Sequence, residues 1–246
     1  MGFDTVRDHC STCAGKAPTV PGDMGPEFQE RLAYAAILYP ILLFALTFHE
    51  FGHAWCAKRL GDRTAEALGR LSMNPIVHID PIGTVVFPLI MLLSPVGLLF
   101  GWAKPVPVNT LNLRKTSDMV LVALAGPACN LILFVIGVIA FKVFVMVADP
   151  RPDVEAMVTI SRVFTMWIAL NLILILFNLL PFTPLDGSKV LLYNIPGHVR
   201  SAPFWAAFEQ YGPMILIVLW FSGVLWKILE WPMAWTMAGV SWFIQL

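Results

Sequence analysis

Two imidazoles four residues apart with a carboxylate between them, His49, Glu50 and His53 in "HEFGH", are the residues of this chain best suited to chemistry. On a helix, positions i and i+4 share one face, so both rings can bind one zinc ion. Glu50 then stands beside the metal as a general base for hydrolysis by water. A catalytic zinc takes three protein ligands and keeps one position open, so a third ligand must come from elsewhere. Asp186 in "NLLPFTPLDG" is an acidic residue just past an apolar run, where Pro181 and Pro184 unwind the backbone. The same Asp-Gly pair also suits a plain turn at a helix end. His78 in the polar "NPIVHIDP" is the other candidate ligand, and its setting favours a structural or gating role. With Asp186 as ligand, the charges of zinc, Glu50, Asp186 and two neutral histidines cancel, which lessens the cost of burying them.

The run before His49, "LAYAAILYPILLFALTF", carries no charge. Ionisable groups inside a membrane helix are costly and mark function. His49 lies eleven residues before Leu60, about 16 Å of helix rise. A site at that depth needs a polar cavity that admits water. Of 246 residues, 58% are hydrophobic and 13% charged, against about 25% charged in soluble domains. The mean hydropathy is +0.74. This is the composition of an integral membrane protein, with the lipid bilayer as its surroundings. A formal net charge of zero offers no basic surface and argues against a nucleic-acid partner. Four cysteines are too few for a disulfide scaffold. Cys56 and Cys129 fall in apolar runs as small core residues, while Cys10 and Cys13 form a lone CxxC beside His9, a weak metal or redox signal.

Residues 1–29 read as a polar tail, 30–190 as the catalytic core and 191–246 as further membrane segments. No apolar stretch precedes residue 30, so the first helix is expected to act as an uncleaved insertion signal. Helices are expected over about Glu30–Leu60, Met119–Val147 and Ser161–Leu180, with "ADPRPDVEA" as a loop. A last apolar block over 203–246 is split by Glu230 and Pro232. The apolar segment 82–101 is broken by "SPVG" and is expected to dip into the membrane and return. Beyond it, Pro105 and Pro107 alternate with Val106 and Val108, which excludes a helix and favours an extended edge strand. A free edge there suits pairing with an unwound substrate strand. Lys58, Arg59, Arg63 and Arg70 follow the first helix, and Lys104, Arg114 and Lys115 follow segment 82–101. The positive-inside rule puts both in the cytosol, with the N-terminus outside. The third helix then runs inward and delivers Asp186 to the histidines. The fold expected is an all-α polytopic membrane protein: a three-helix catalytic core, a membrane re-entrant β-like loop and additional C-terminal helices.

"HEFGH" on a membrane helix, with "NLLPFTPLDG" on a later one, resembles the site-2 protease family of intramembrane zinc metalloproteases. "GRLSMNPIVHIDPIGT", "GWAKPVPVN" and "LAGPACN" resemble its compact prokaryotic branch, and the likeness covers about residues 30–190. The resemblance implies one zinc ion (Zn2+) held by His49, His53 and Asp186, with Glu50 as catalytic base. It implies that Asn130 and Asn178 bind or position substrate. It further implies cleavage within or near transmembrane segments of membrane-protein substrates, in regulated intramembrane proteolysis; with the charge pattern, the expectation is a multi-pass protein of the cell membrane whose active site lies towards the cytosolic side. No PDZ domain and no nucleotide-binding regulatory domain is visible in the sequence. The alternative is a non-proteolytic zinc-binding membrane protein, a chaperone or transporter. The intact Glu50 favours the enzyme, because a structural zinc site needs no base and closes its fourth position.

Overall fold

The computed structural model describes residues 26–93, 101–148 and 154–245. Cys10, Cys13 and the "SPVG" break lie outside the described residues. The first helix, α1 (Pro26–Arg59), ends in Lys58 and Arg59, whose charges suit the negative end of the helix dipole. The chain then turns at Gly61 with φ 109°, a conformation open chiefly to glycine. A single helical turn, α2 (Thr64–Ala67), and a short apolar helix, α3 (Phe87–Leu93), follow. Next come α4 (Met119–Val147), α5 (Val154–Asn178), α6 (Asp186–Asn194), the single turn α7 (Gly197–Arg200), α8 (Pro203–Phe221) and α9 (Val224–Gln245). Among the described residues, four segments are long and apolar enough to cross a membrane: Phe28–Arg59, Thr116–Val147, Val154–Asn178 and Pro203–Phe221.

The outward face of α4 explains why this is a membrane fold. Leu131, Ile132, Val135, Ile136, Ile139 and Val143 are all exposed. In water such a stripe would drive aggregation, whereas in lipid it costs nothing and the helix satisfies its own backbone. Association then rests on close packing and small residues. Ala45, Ala57 and Ala123 are fully buried where α1 and α4 meet the rest of the core.

The three core helices are α1, α4 and α5. Leu38, Ile41 and Leu42 of α1 cluster with Leu133 of α4 and with Met166 and Leu170 of α5. At the other end Ala57 of α1 clusters with Met119 and Val122 of α4. So α1 and α4 run antiparallel, and the stretch 60–118 begins and ends at the same end of the bundle. Its contacts are nested like a hairpin. Arg114 N–H donates to Leu60 O (3.0 Å) and Asn109 N–H to Asp62 Oδ2 (2.7 Å). Further along, Lys104 N–H donates to His78 O (2.9 Å) and Trp102 N–H to Gly83 O (3.1 Å). At the far end Tyr39 Oη donates to Thr84 O (2.8 Å). Tyr39 lies twenty residues before Arg59, about 30 Å of helix rise, so the described limbs of the hairpin reach far along α1.

Asp62 anchors the base of this hairpin. It is fully buried and accepts from Thr64, Asn109 and Asn112. Burial works against its ionisation, and these hydrogen bonds outweigh burial, holding the carboxyl below its ordinary range.

Several sequence expectations change. The described residues contain no strand: the hairpin is β-like in path only, held by side chain–backbone bonds and isolated main-chain bonds instead of a ladder. The edge on 102–109 is largely occupied, at four of its six N–H groups. The N–H groups of Trp102, Lys104, Val106 and Asn109 are taken by Gly83, His78, Glu50 and Asp62. Pro105 and Pro107 have no N–H, and Arg70 occupies the carbonyls of Lys104 and Pro105. Helix α5 begins at Val154 rather than Ser161, with Glu155 in its first turn, where an acidic side chain suits the positive helix end. The C-terminal block divides at Gly223, φ 74°, and not at Glu230 and Pro232. Gly223 permits the left-handed turn that stops α8, while Pro232 is accommodated inside α9.

Candidate metal centre

α1 presents His49 and His53 on the face turned to α4 and α6, and α6 brings Asp186 to them. His49 Nε2 is 3.0 Å from His53 Nε2. Asp186 Oδ2 is 3.1 Å from His49 Nε2 and 3.2 Å from His53 Nε2. All three residues are buried, with 4%, 7% and 4% of their surface exposed for His49, His53 and Asp186. Glu50 is half-buried, and its carboxylate lies within 4.8 Å of the two imidazole ligand atoms.

The protons of this triangle can be placed. His49 Nδ1–H donates to Asn130 Oδ1 (2.6 Å) and His53 Nδ1–H to Val122 O (2.7 Å). A neutral ring held in this way turns its Nε2 lone pair to the centre. Asp186 Oδ2 faces both Nε2 atoms. Three such atoms converging in a buried site must be joined by a cation or a proton. Around tetrahedral zinc, with bonds of about 2.0–2.2 Å, neighbouring ligand atoms are about 3.3 Å apart, close to the spacing found here. The side chains present fit a zinc ion.

Neighbouring backbone is cut to the same shape. A Cβ on Gly126 of α4 would lie 2.4 Å from His53 Nε2 and 2.6 Å from His49 Nε2. Only glycine lets α4 approach the pair so closely. Gly126→Ala is expected to push the rings apart and weaken metal binding by at least about tenfold, the scale of losing a supporting group in a metal site. Competition with a chromophoric chelator measures it, and unchanged affinity would show that the rings do not bind metal in this arrangement.

Glu50 has a specific hold. Its Oε2 accepts from Val106 N–H (2.8 Å) on the returning limb of the hairpin. That bond aims the carboxylate through one of its two oxygens. Beside the triangle lies a cavity of about 280 Å3. Its wall is mostly apolar, with Leu42, Leu46, Ile173, Leu174, Phe177 and Trp220, and it is joined by Glu50, Asn178 and Lys189.

The structure thus brings His49, Glu50, His53 and Asp186 together. Asn178 lines the cavity with its amide tied to Leu174 O (2.9 Å). Asn130 differs from the expectation of substrate contact. It has no exposed surface, and its amide is taken up by His49, Ala45 O and Asn171. His78, the alternative ligand, is engaged elsewhere: its Nε2 bonds Ser72 O (2.9 Å) and its carbonyl accepts from Lys104. Sequence reasoning passed over Lys189, whose Nζ is 3.3 Å from Asp186 Oδ1. Its signal is the i+3 spacing from Asp186 on one helix. It also passed over Asn171, a polar residue two turns before Asn178 in an apolar span.

Comparison with known proteins follows the same lines. Residues 37–151 and 143–222 match the family model described as "Peptidase family M50". The chain is 41% identical over 208 residues to "Putative zinc metalloprotease YwhC" of Bacillus subtilis (strain 168), covering 82% of this chain and 89% of that protein. It is 30% identical over 222 residues to "Putative zinc metalloprotease Rip2" of Mycolicibacterium smegmatis, covering 87% of this chain and 76% of that protein. The Mycobacterium tuberculosis (strain ATCC 25618 / H37Rv) protein of the same name is 29% identical over 227 residues, covering 87% of this chain and 80% of that protein. No solved structure matches the chain.

Proposed function

Since this chain belongs to peptidase family M50 and is a membrane zinc metalloprotease, we propose that it cleaves peptide bonds within or near the transmembrane segments of membrane-protein substrates, in regulated intramembrane proteolysis. The observation that carries this reading is the convergence of His49 Nε2, His53 Nε2 and Asp186 Oδ2, with Glu50 beside them, inside a helix bundle whose outer face is apolar. His49, His53 and Asp186 are the zinc ligands, holding one ion per chain. Glu50 is the catalytic base.

Zinc supplies the Lewis acidity that polarises a scissile carbonyl and makes an attacking water acidic near neutral pH. Glu50 takes the proton of that water on Oε1, because Val106 N–H occupies Oε2, and gives it to the leaving amine nitrogen. Asn130 and the Val122 carbonyl accept from Nδ1–H of the two histidines, which leaves Nε2 of both rings to the metal. Lys189 engages Asp186 Oδ1 and leaves Oδ2 for the metal. Asn130 is therefore a positioning residue, while Asn178, on the cavity wall, is placed to hold a substrate carbonyl or amide. The apolar wall receives substrate side chains and limits water.

Protein stripped by a chelator is expected to lose cleavage of a single-span peptide and to regain it at one zinc per chain. Cleavage that survives zinc removal would overturn this reading. A narrower test addresses Val106. Val106→Pro removes the N–H that aims Glu50, in a segment already extended on either side of Pro105 and Pro107. It is expected to lower kcat roughly tenfold or more, the scale of one hydrogen bond to a charged group, with zinc content unchanged. An unaltered kcat would mean that Glu50 needs no such guide.

The basic residues that flank the hairpin support an orientation with the active site towards the cytosol and the N-terminus outside. Single cysteines at Thr110 and Glu155, in a background lacking the native four, report on it. A membrane-impermeant thiol reagent on intact cells is expected to label position 155 alone. Labelling at 110 but not at 155 would reverse the orientation.

A further inference from the structure

Behind Asn130 lies a second buried amide, on α5. Asn171 has no exposed surface. Its Nδ2 donates to Trp167 O (2.9 Å), one turn earlier on the same helix. Its Oδ1 accepts from Asn130 Nδ2 (3.1 Å). Asn130 Nδ2 also donates to Ala45 O (3.3 Å), and Asn130 Oδ1 accepts from His49 Nδ1–H (2.6 Å). An amide can be turned over by half a rotation at little cost when its partners tolerate either atom. Here they do not. Trp167 O can only accept, so Asn171 must point its NH2 there and its oxygen to α4. That oxygen and the Ala45 carbonyl can only accept, so Asn130 must point its NH2 to both and its own oxygen to His49.

We infer that Asn171 is a positioning residue for the metal site: with the Ala45 carbonyl it fixes the amide of Asn130 and, through it, the proton of His49 on Nδ1. The far end of the relay is rigid. The indole of Trp167 donates to Leu133 O (2.8 Å) and lies against Gly137, where a Cβ would come within 2.4 Å of the ring. Three core helices therefore contribute to one tautomer: Asn171 of α5 and the Ala45 carbonyl of α1 set the polarity, Asn130 of α4 passes it on and His49 of α1 uses it. A buried polar chain of this kind is costly in an apolar core unless every member is satisfied. Each amide here has its partners. The inference rests on the zinc reading of the site, and the test separates the two.

Zinc affinity by chelator competition and the visible absorption of the cobalt-substituted protein are measured for wild type, Asn171→Leu, Asn171→Ser and Asn130→Leu. The Asn171→Leu, Asn130→Leu double variant completes the cycle. Asn171→Ser guards against misfolding, because a helical serine satisfies the carbonyl one turn back but cannot reach Asn130. Both Asn171 variants are expected to bind zinc roughly tenfold more weakly and to alter the cobalt spectrum, within the range for lost outer partners of metal-bound histidine. The double variant is expected to match Asn130→Leu alone, since Asn171 acts only through Asn130. Wild-type affinity and spectrum in Asn171→Ser, or losses that multiply in the double variant, would overturn the relay. A wild-type protein that binds no zinc would instead remove the zinc reading itself.

Discussion

Glu50→Gln is expected to slow peptide-bond hydrolysis by at least about a thousandfold while zinc stays bound at the wild-type level. Glutamine keeps the size of the side chain and an oxygen that can still accept from Val106 N–H. What it loses is the ability to take a proton. General acid–base catalysis by one positioned group contributes about 10^2–10^4-fold, and here the same group serves both the attacking water and the leaving amine. The three ligand atoms belong to His49, His53 and Asp186 and are untouched by the change. Metal analysis and a cleavage assay on one preparation separate the two effects. Wild-type turnover by Glu50→Gln would remove Glu50 from the mechanism, and loss of zinc would make it a ligand instead of a base.

Asp186→Ala is expected to do the reverse and weaken zinc binding by about a hundredfold or more, with activity falling alongside. A catalytic zinc with two protein ligands in place of three is poorly held. The substitution also leaves Lys189, now 3.3 Å from Asp186 Oδ1, without its partner beside the histidines. An uncompensated cation there opposes the metal directly. Asp186→Asn, which keeps an oxygen but not the charge, is expected to fall between the two. Full zinc occupancy and full activity in Asp186→Ala would return Asp186 to an ordinary turn residue.

The motif residues and the helices that carry them were legible because they depend on local signals. The i and i+4 spacing fixes His49 and His53 on one face, and α4 falls on Met119–Val147 as its apolar run requires. The zinc metalloprotease reading was legible too, in Glu50 beside the histidines, and family membership sets aside the non-proteolytic alternative. What escaped depends on three-dimensional partners. Nothing in "LAGPACN" says that Asn130 faces inward to His49 and not outward to a substrate; only the fold of α4 against α1 decides that. The occupied edge at 102–109 escaped for the same reason, since four of its six N–H groups are spent on residues 19 to 56 positions away in sequence. Lys189 and Asn171 left weaker traces, and each becomes meaningful only once Asp186 and Asn130 are in place.

The central claim is that this zinc site works on peptide bonds inside the membrane. Wild-type protein in liposomes, with a single-span substrate whose products are mapped by mass spectrometry, tests it most directly. New termini within the apolar span, produced by wild type and absent with Glu50→Gln, are the expected result. Termini confined to the water-exposed flanks of the substrate, or the same products from Glu50→Gln, would contradict it.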